Sequence, residues 1–330
     1  MKKSNFPLVS VVVIGRNEGR RLLDCIQSIK ASDYPCLEVI YVDSASQDGS
    51  PEAAANLGAK VIRLAPSRPS AALGRNAGWH AAQGEYILFL DGDTLLHPEF
   101  IGRAMHSMAD AGIAVVWGHR RESRPEQSLY VRVLDLDWIY PPGESLFCGG
   151  DALMRRTVLQ QTGGFDGSLI AGEEPELCRR IRQLGYRILH IDELMTRHDL
   201  AVQSFSAYWK RAFRAGHAYA ELATRFRHTD DPLWLADSRR NGLRVGVLLS
   251  GLVIFLLANP SLKLGLLVAV ISMLLRSAQR SRWKSPVWQT RMWYALHSHF
   301  QQIPIACGQM SFWINRLRGQ RKALIEYKTS

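Results

Sequence analysis

Five short runs rich in β-branched residues punctuate the first 120 positions: LVSVVVIG (8–15), LEVIYVDS (37–44), KVIRLA (60–65), YILFLD (86–91) and IAVVWG (113–118). Each is apolar on both faces, the pattern of a strand buried in a parallel sheet. Helical periodicity fills the gaps between them. Leu22, Leu23, Ile26 and Ile29 make one apolar stripe. A second helix opens at Ser50–Pro51, a cap and first-turn pair, and stops at Gly58. A third runs from about Ser70 to Gly84. This alternation predicts an α/β fold with an open, mostly parallel, doubly wound sheet. Such sheets bind ligands beyond the carboxyl ends of their strands.

Residues 120–200 are less regular. Pro141–Pro142–Gly143 marks a loop, and Gly149–Gly150 and Gly163–Gly164 mark turns. PELCRRIRQLGYRI (175–188) reads as a helix ended by Gly185, then a strand. From 243 the pattern changes. VGVLLSGLVIFLLA (245–258) and SLKLGLLVAVISMLL (261–275) flank Asn259–Pro260. Each run, about 15 residues, reaches only roughly 22 Å as helix, against a hydrocarbon core of ~30 Å. A helical hairpin turning at Asn259–Pro260 keeps the flanking arginines on one side, as the positive-inside tendency asks. Lys263, near the turn, could snorkel or pair. A buried helix pair in a soluble core is the alternative. YWKRAFRAGHAYAEL (208–222) and the aromatic-rich 287–322 both suit a headgroup layer. The expected organisation is therefore 1–200 catalytic, 201–242 amphipathic interface helices, 243–276 hydrophobic hairpin and 277–330 a basic, aromatic-rich interfacial region.

Charge sharpens that division. The chain carries +11, and 19 of its 41 Lys and Arg lie beyond residue 200, with only 5 of its 30 Asp and Glu. A basic excess of this kind seeks a polyanion, either nucleic acid or the anionic lipid of a cytoplasmic membrane face. The neighbouring apolar hairpin and tryptophans favour an anionic membrane and no nucleic acid. Five scattered cysteines have no metal-ligand spacing and read as reduced thiols. The start, MKKSNFPLVS, lacks a cleavage site after a helical apolar region and is not read as a signal peptide.

The fourth strand-like run ends in Asp91–Gly92–Asp93. Two carboxylates one residue apart can converge on a hard cation, and Mg²⁺ or Mn²⁺ favours one or two carboxylates plus phosphate oxygens. Taken alone, the same tripeptide is also a good turn. No G-x-G-x-x-G or Walker pattern follows the first run. Its loop offers Arg16, Asn17 and Glu18 beside a helix N-terminus. The second run places Asp43 at the same edge, where a carboxylate can accept hydrogen bonds from a base or ribose, and Asp48 can stabilise its turn.

Five blocks in order, VSVVVIGRNEGRRLLDCIQSI, VDSASQDGS, GRNAGWHAAQGEYILFLDGD, GGDALMRRTVLQQTGGFD and GEEPELCRRIRQLGYRI, resemble the family 2 glycosyltransferases of GT-A fold over residues 8 to about 200. The resemblance implies inverting transfer from a nucleotide-sugar donor, assisted by a divalent cation, Mg²⁺ or Mn²⁺. It implies donor contacts at Asp43, Arg75 and Asp91, with Asn17 and Glu18 beside them. Asp93 is the implied direct metal ligand, with Asp91 weaker and His198, in TRHDL, a further one that Asp199 could orient. Gly149, Gly150 and Asp151 resemble the segment that faces sugar and acceptor. GEEPEL resembles the block holding the general base, which falls on Glu174 where the family usually has Asp. Glu173 is the second choice, and Glu176 is expected to orient Arg179 or Arg180.

No Q-x-x-R-W block of processive synthases is present, and one hairpin cannot form a translocation channel. Single-sugar transfer is therefore expected, to a lipid-linked or envelope or exopolysaccharide glycan at the cytoplasmic face of a bacterial inner membrane. The alternative is a catalytically degenerate membrane scaffold that binds nucleotide-sugar or glycan without turnover.

Overall fold

The computed structural model describes residues 6–66 and 68–320. Residues 1–5 of the basic start and 321–330 of the basic C-terminal region lie outside the described residues. The chain divides into two compact units: one holds the residues up to Ser123 together with Trp138–Leu200, the other Arg124–Asp137 and the residues from Ala201 onward.

The first unit is built on one nine-stranded sheet: β1 (Val9–Gly15), β2 (Leu37–Ser44), β3 (Lys60–Leu64), β4 (Tyr86–Asp91), β5 (Thr94–Leu96), β6 (Ile113–Glu122), β7 (Gly143–Glu144), β8 (Ala152–Arg155) and β9 (Arg187–His198). Its order is β3-β2-β1-β4-β8-β6-β9-β5, with β7 also paired to β9. β3, β2, β1 and β4 run parallel. The expected runs all appear as strands. The 113–118 run lengthens into β6 and is separated from β4 by β8, an antiparallel strand of four residues. So short a strand leaves no periodicity to read. β9 runs parallel to β6 with register shifts between Trp117 and Arg120, then pairs antiparallel with β5 so that Thr94 faces His198.

Helices α1 (Arg20–Lys30), α2 (Ser50–Asn56), α3 (Ala71–Ala81) and α4 (Phe100–Ser107) follow the early strands. α1 buries Leu22, Cys25, Ile26 and Ile29, so Cys25 rather than Leu23 completes its stripe. Ser70 caps α3 by accepting from the Leu73 amide. α3 then lies close on β1. A β-carbon built at Gly78 would stand 2.2 Å from Val12 Cγ1, and one at Gly74 3.2 Å from Ile14 Cγ2. That approach sets Arg75 against the carboxyl edge of the sheet. α5 (Leu129–Asp135) belongs to the second unit, while α6 (Arg156–Thr162) and α7 (Glu173–Gln183) complete the first.

The second unit is helical: α5, α8 (Phe205–Arg225), α9 (Leu235–Leu257), α10 (Pro260–Arg280), α11 (Trp288–Phe300) and α12 (Gln302–Leu317). α8 and α12 cross nearly backbone to backbone. A β-carbon at Gly216 would fall 2.0 Å from the Ile305 carbonyl oxygen, and one at Gly308 2.0 Å from that of Phe213. A polar chain ties α5 to α8 and α11: Tyr208 Oη lies 2.9 Å from His297 Nδ1, and His297 Nε2 3.1 Å from Asp137 Oδ2. Tyr294 and Lys284 extend it, the first to Asp137 and the second to the Leu136 carbonyl. Burial opposes the Asp137 charge, but His297, Lys284 and Tyr294 outweigh it and hold its carboxyl below the usual range.

The apolar limbs are longer than the 15-residue runs predict. α9 has 23 residues and α10 has 21, because the helical backbone continues through the basic flanks that end each apolar run. Both are long and apolar enough to cross a membrane, and only 6% of each apolar window is buried. That exposure does not fit a helix pair inside a soluble core. They meet at Asn259–Pro260, where Asn259 Oδ1 accepts from the Leu262 amide and Pro260 takes the first turn. Lys263 sits 5.9 Å from the Phe255 ring, close to that turn.

The α3–β1 contact yields a stability prediction. Gly78→Ala forces a methyl into Val12 and should destabilise by about 1–3 kcal/mol, the usual penalty for overpacking a core. Val12→Ala should relieve part of that penalty, so the double variant in a denaturation series should show favourable coupling.

Candidate active site

The carboxyl ends of β1, β2 and β4 meet three kinds of loop, and each holds its acids differently. Tyr41 Oη donates to Asp43 Oδ1 (2.9 Å), and the Ser46 amide donates to Oδ2 (3.0 Å). Asn17, at φ 53°, bridges two loops: its amide donates to Ser46 Oγ (2.9 Å) and its Oδ1 accepts from the Gln47 amide (2.8 Å). Asp48 accepts from the Gly19 and Ser50 amides and so stabilises the turn. Glu18 pairs with Arg21 at 2.9 Å, and its side chain lies beneath Gly92.

Arg75 is the centre of the site. Its side chain is only 3% exposed. Nη2 reaches Asp91 Oδ1 at 3.1 Å, and Nη1 reaches Glu173 Oε1 at 3.0 Å and Glu174 Oε1 at 2.9 Å. The guanidinium also sits 5.6 Å from the Phe165 ring centre. Burial opposes its charge, but the carboxylates of Glu174, Asp91 and Glu173 more than compensate and raise its pKa. One side chain thus joins the end of β4 to the first turn of α7. Gly150 makes room for it: a β-carbon there would stand 2.5 Å from Arg75 Nη2 and 3.3 Å from Glu174 Oε1.

The three carboxylates around Arg75 differ. Burial would neutralise Asp91, but Arg75 and then Arg120 hold its carboxyl below the usual range. Glu174 goes the other way. Burial, reinforced by the charge of Glu173, pushes it up to about 7 against the pull of Arg75. Its side chain remains 17% exposed, so a carboxylate poised near neutrality is open to a ligand. Glu173 is more enclosed. Glu176 pairs with Arg180, accepting at 2.6 and 2.8 Å, rather than facing the acids.

Asp93 and His198 form a second group. Asp93 Oδ2 lies 3.0 Å from His198 Nε2, and both side chains are buried. The β5–β9 register that sets Thr94 opposite His198 brings them together. The Asp199 amide donates to the Asp93 carbonyl at 3.3 Å. Among the described residues no group of three or more His, Cys, Asp or Glu forms a complete cation cage. One carboxylate and one imidazole at this separation still fit a hard divalent cation that takes its remaining ligands from a diphosphate.

Asp151 is fully enclosed. It accepts from the Asp91 amide (3.1 Å) and from Thr196 Oγ1 (2.8 Å), and burial lifts its carboxyl to about 6 against the pull of Arg120. Arg120 is the residue that sequence reasoning passed over. It lies 3.4 Å from Asp91 Oδ2 and 3.6 Å from Asp151 Oδ2, with its guanidinium 4.7 Å from the Trp138 ring centre. The available signal was a charged residue in the continuation of an apolar strand run, on the same face as Glu122.

With this geometry in place, comparison with known proteins is decisive. Residues 10–163 match the model of the glycosyl transferase family 2. The chain is a glycosyltransferase, and this part of it is similar to family 2. A glycosyltransferase of Haloferax volcanii, AglE, is 25% identical to it over 230 residues, 66% of this chain and 75% of the relative. An N-acetylglucosaminyltransferase of Mesorhizobium japonicum is 28% identical over 217 residues, 57% of this chain but only half of that protein. A solved mannosyltransferase from Pyrobaculum calidifontis, in complex with GDP-Man and Mn²⁺, superposes with a TM-score of 0.70 at 19% identity, covering 95% of this chain and 89% of the other. That likeness identifies the sheet of the first unit as the GT-A fold.

The Arg75 cluster makes a direct prediction. Arg75→Met leaves Glu173 and Glu174 crowded without a counter-charge, and Asp91 with Arg120 alone, and should destabilise by about 3–5 kcal/mol near pH 8. Glu174, its carboxyl pushed up to about 7, protonates toward pH 5 and relieves that repulsion, so the deficit should shrink there. Denaturation of both proteins at the two pH values measures this.

Proposed function

We propose that the chain moves a single sugar, with inversion, from a nucleotide-sugar donor to a hydroxyl of a lipid-linked or envelope or exopolysaccharide glycan. The observation that carries this reading is the Arg75 cluster, which keeps Asp91 ionised on the donor side and leaves Glu174 near neutrality on the other. Glu174 is the base. Its carboxylate takes the proton of the acceptor hydroxyl as the acceptor oxygen bonds to the anomeric carbon. The bond from that carbon to the diphosphate oxygen breaks on the opposite face, and the nucleoside diphosphate leaves. Arg75 orients the base, and Gly150 keeps the space before it clear. Asp43, held by Tyr41 and the Ser46 amide, suits the nucleoside end of the donor. Asp93 and His198 would hold a divalent cation, Mg²⁺ or Mn²⁺, which supplies positive charge against the departing diphosphate.

α9 and α10 support a membrane location, and the basic excess beyond residue 200 supports the cytoplasmic face of a bacterial inner membrane. The complex of the Pyrobaculum calidifontis protein supports a nucleotide-sugar and metal reading but does not select the sugar.

The test is release of nucleoside diphosphate from a donor panel in membrane extracts with Mn²⁺. Glu174→Gln should lower kcat by about 10²–10⁴, the range of a lost general base. In the wild type kcat should fall as pH drops below about 7, because the base must be ionised and its carboxyl titrates there. Chelation should abolish turnover and Mn²⁺ restore it, while Asp93→Ala should weaken the response to Mn²⁺. Full activity in both variants would sink the assignment.

A further inference from the structure

α12 is apolar on two faces, and the fold uses only one. Pro304, Ile305, Gly308 and Gln309 are buried; Gly308 presses on α8, and Gln309 reaches Ser238 at the start of α9. The opposite face exposes Met310 (63%), Trp313 (45%), Ile314 (41%) and Leu317 (86%). Their spacing, i, i+3, i+4, i+7, makes one continuous stripe along the helix. Arg316 and Arg318 are exposed at its C-terminal end.

α12 has 16 residues, roughly 24 Å of helix, which is short of the ~30 Å hydrocarbon core. Its buried glutamine and its arginines do not suit a span either. An exposed Trp and aliphatic stripe bordered by cations suits a helix lying in the plane of an anionic bilayer surface. There the apolar side chains enter the acyl boundary and the guanidiniums meet lipid phosphates. We infer that the Met310–Leu317 face of α12 docks on the anionic lipid surface as an in-plane contact separate from α9 and α10. This rests on the membrane reading above, and it adds a named surface and a lipid chemistry. The charge complementarity of the arginines selects an anionic lipid over a second copy of this chain, whose equally basic second unit would repel them.

The full-length protein reconstituted in vesicles tests this. An environment-sensitive fluorescent residue is placed at position 310, 314 or 317, with 311 and 315 as controls, and quenched by lipids labelled near the headgroup. The expected result is at least threefold stronger quenching at 310, 314 and 317 than at the controls, and a decline when phosphatidylglycerol is replaced by phosphatidylcholine. Equal quenching at all five positions overturns the proposal. So does protection of the stripe that depends on protein concentration, the mark of a second copy. A Met310→Asp/Ile314→Asp variant supplies an independent readout. It should still float with vesicles and resist alkaline extraction through α9 and α10, while losing the headgroup quenching of a probe at 317. If the wild type itself does not float, the membrane reading fails; if it floats but the stripe is unquenched, only this inference fails.

Discussion

A single buried guanidinium holds together the acids at the carboxyl edge of the first unit's sheet. Removing the Arg75 charge from water is unfavourable, and only close carboxylates make it tolerable. Three of them, Asp91, Glu173 and Glu174, converge from two elements far apart in sequence. The same contact that stabilises the arginine also sets their pKa values apart. Asp91, gripped by Arg75 and Arg120, stays charged; Glu174, more burdened by burial and by Glu173, titrates near neutrality. Pairs of acids pushed in opposite directions are how one site supplies both a fixed charge and a proton acceptor.

Much of this arrangement was legible in the sequence. β1 to β4 and the first three helices announce themselves through two distinct periods, and strand ends in such sheets are where acids do chemistry. Asp91 was legible as such a strand-end acid, and Arg75 and Glu174 were legible through the resemblance of their blocks, as separate donor and base residues rather than as one cluster. Arg120 was not, because it lies in the prolongation of β6, where nothing in the run 113–118 signals that the strand continues. Asp151 was expected to face the acceptor, and the structure seals it between the Asp91 amide and Thr196. A tripeptide of two glycines and an aspartate reveals a tight passage but not which way the carboxyl turns. The apolar runs at 245–275 understate the limbs, because helices end where capping and backbone geometry end them, beyond the last apolar residue.

The second unit relies on different physics. Where α8 and α12 cross, glycine at 216 and 308 lets backbones approach where any side chain would separate them. The pair Asn241–Gln302 and the chain from Tyr208 through His297 to Asp137 add direction to that contact, since each hydrogen bond is satisfied in only one alignment. Close packing on one face of α12 is also what fixes its other face outward.

The Asp93–His198 pair follows from strand pairing rather than from a flexible loop. β9 carries irregularities between its pairing with Trp117 and with Arg120, and only after them does it meet β5 with His198 opposite Thr94. Bulges of this kind re-aim a strand. Because side chains alternate across a strand, inserting or deleting one residue between 191 and 198 would turn His198 to the other face of the sheet. The Asp93–His198 pair therefore behaves as a gauge of sheet registration. A change in the length of β9 between the irregularity and His198 would break the pair without touching either member.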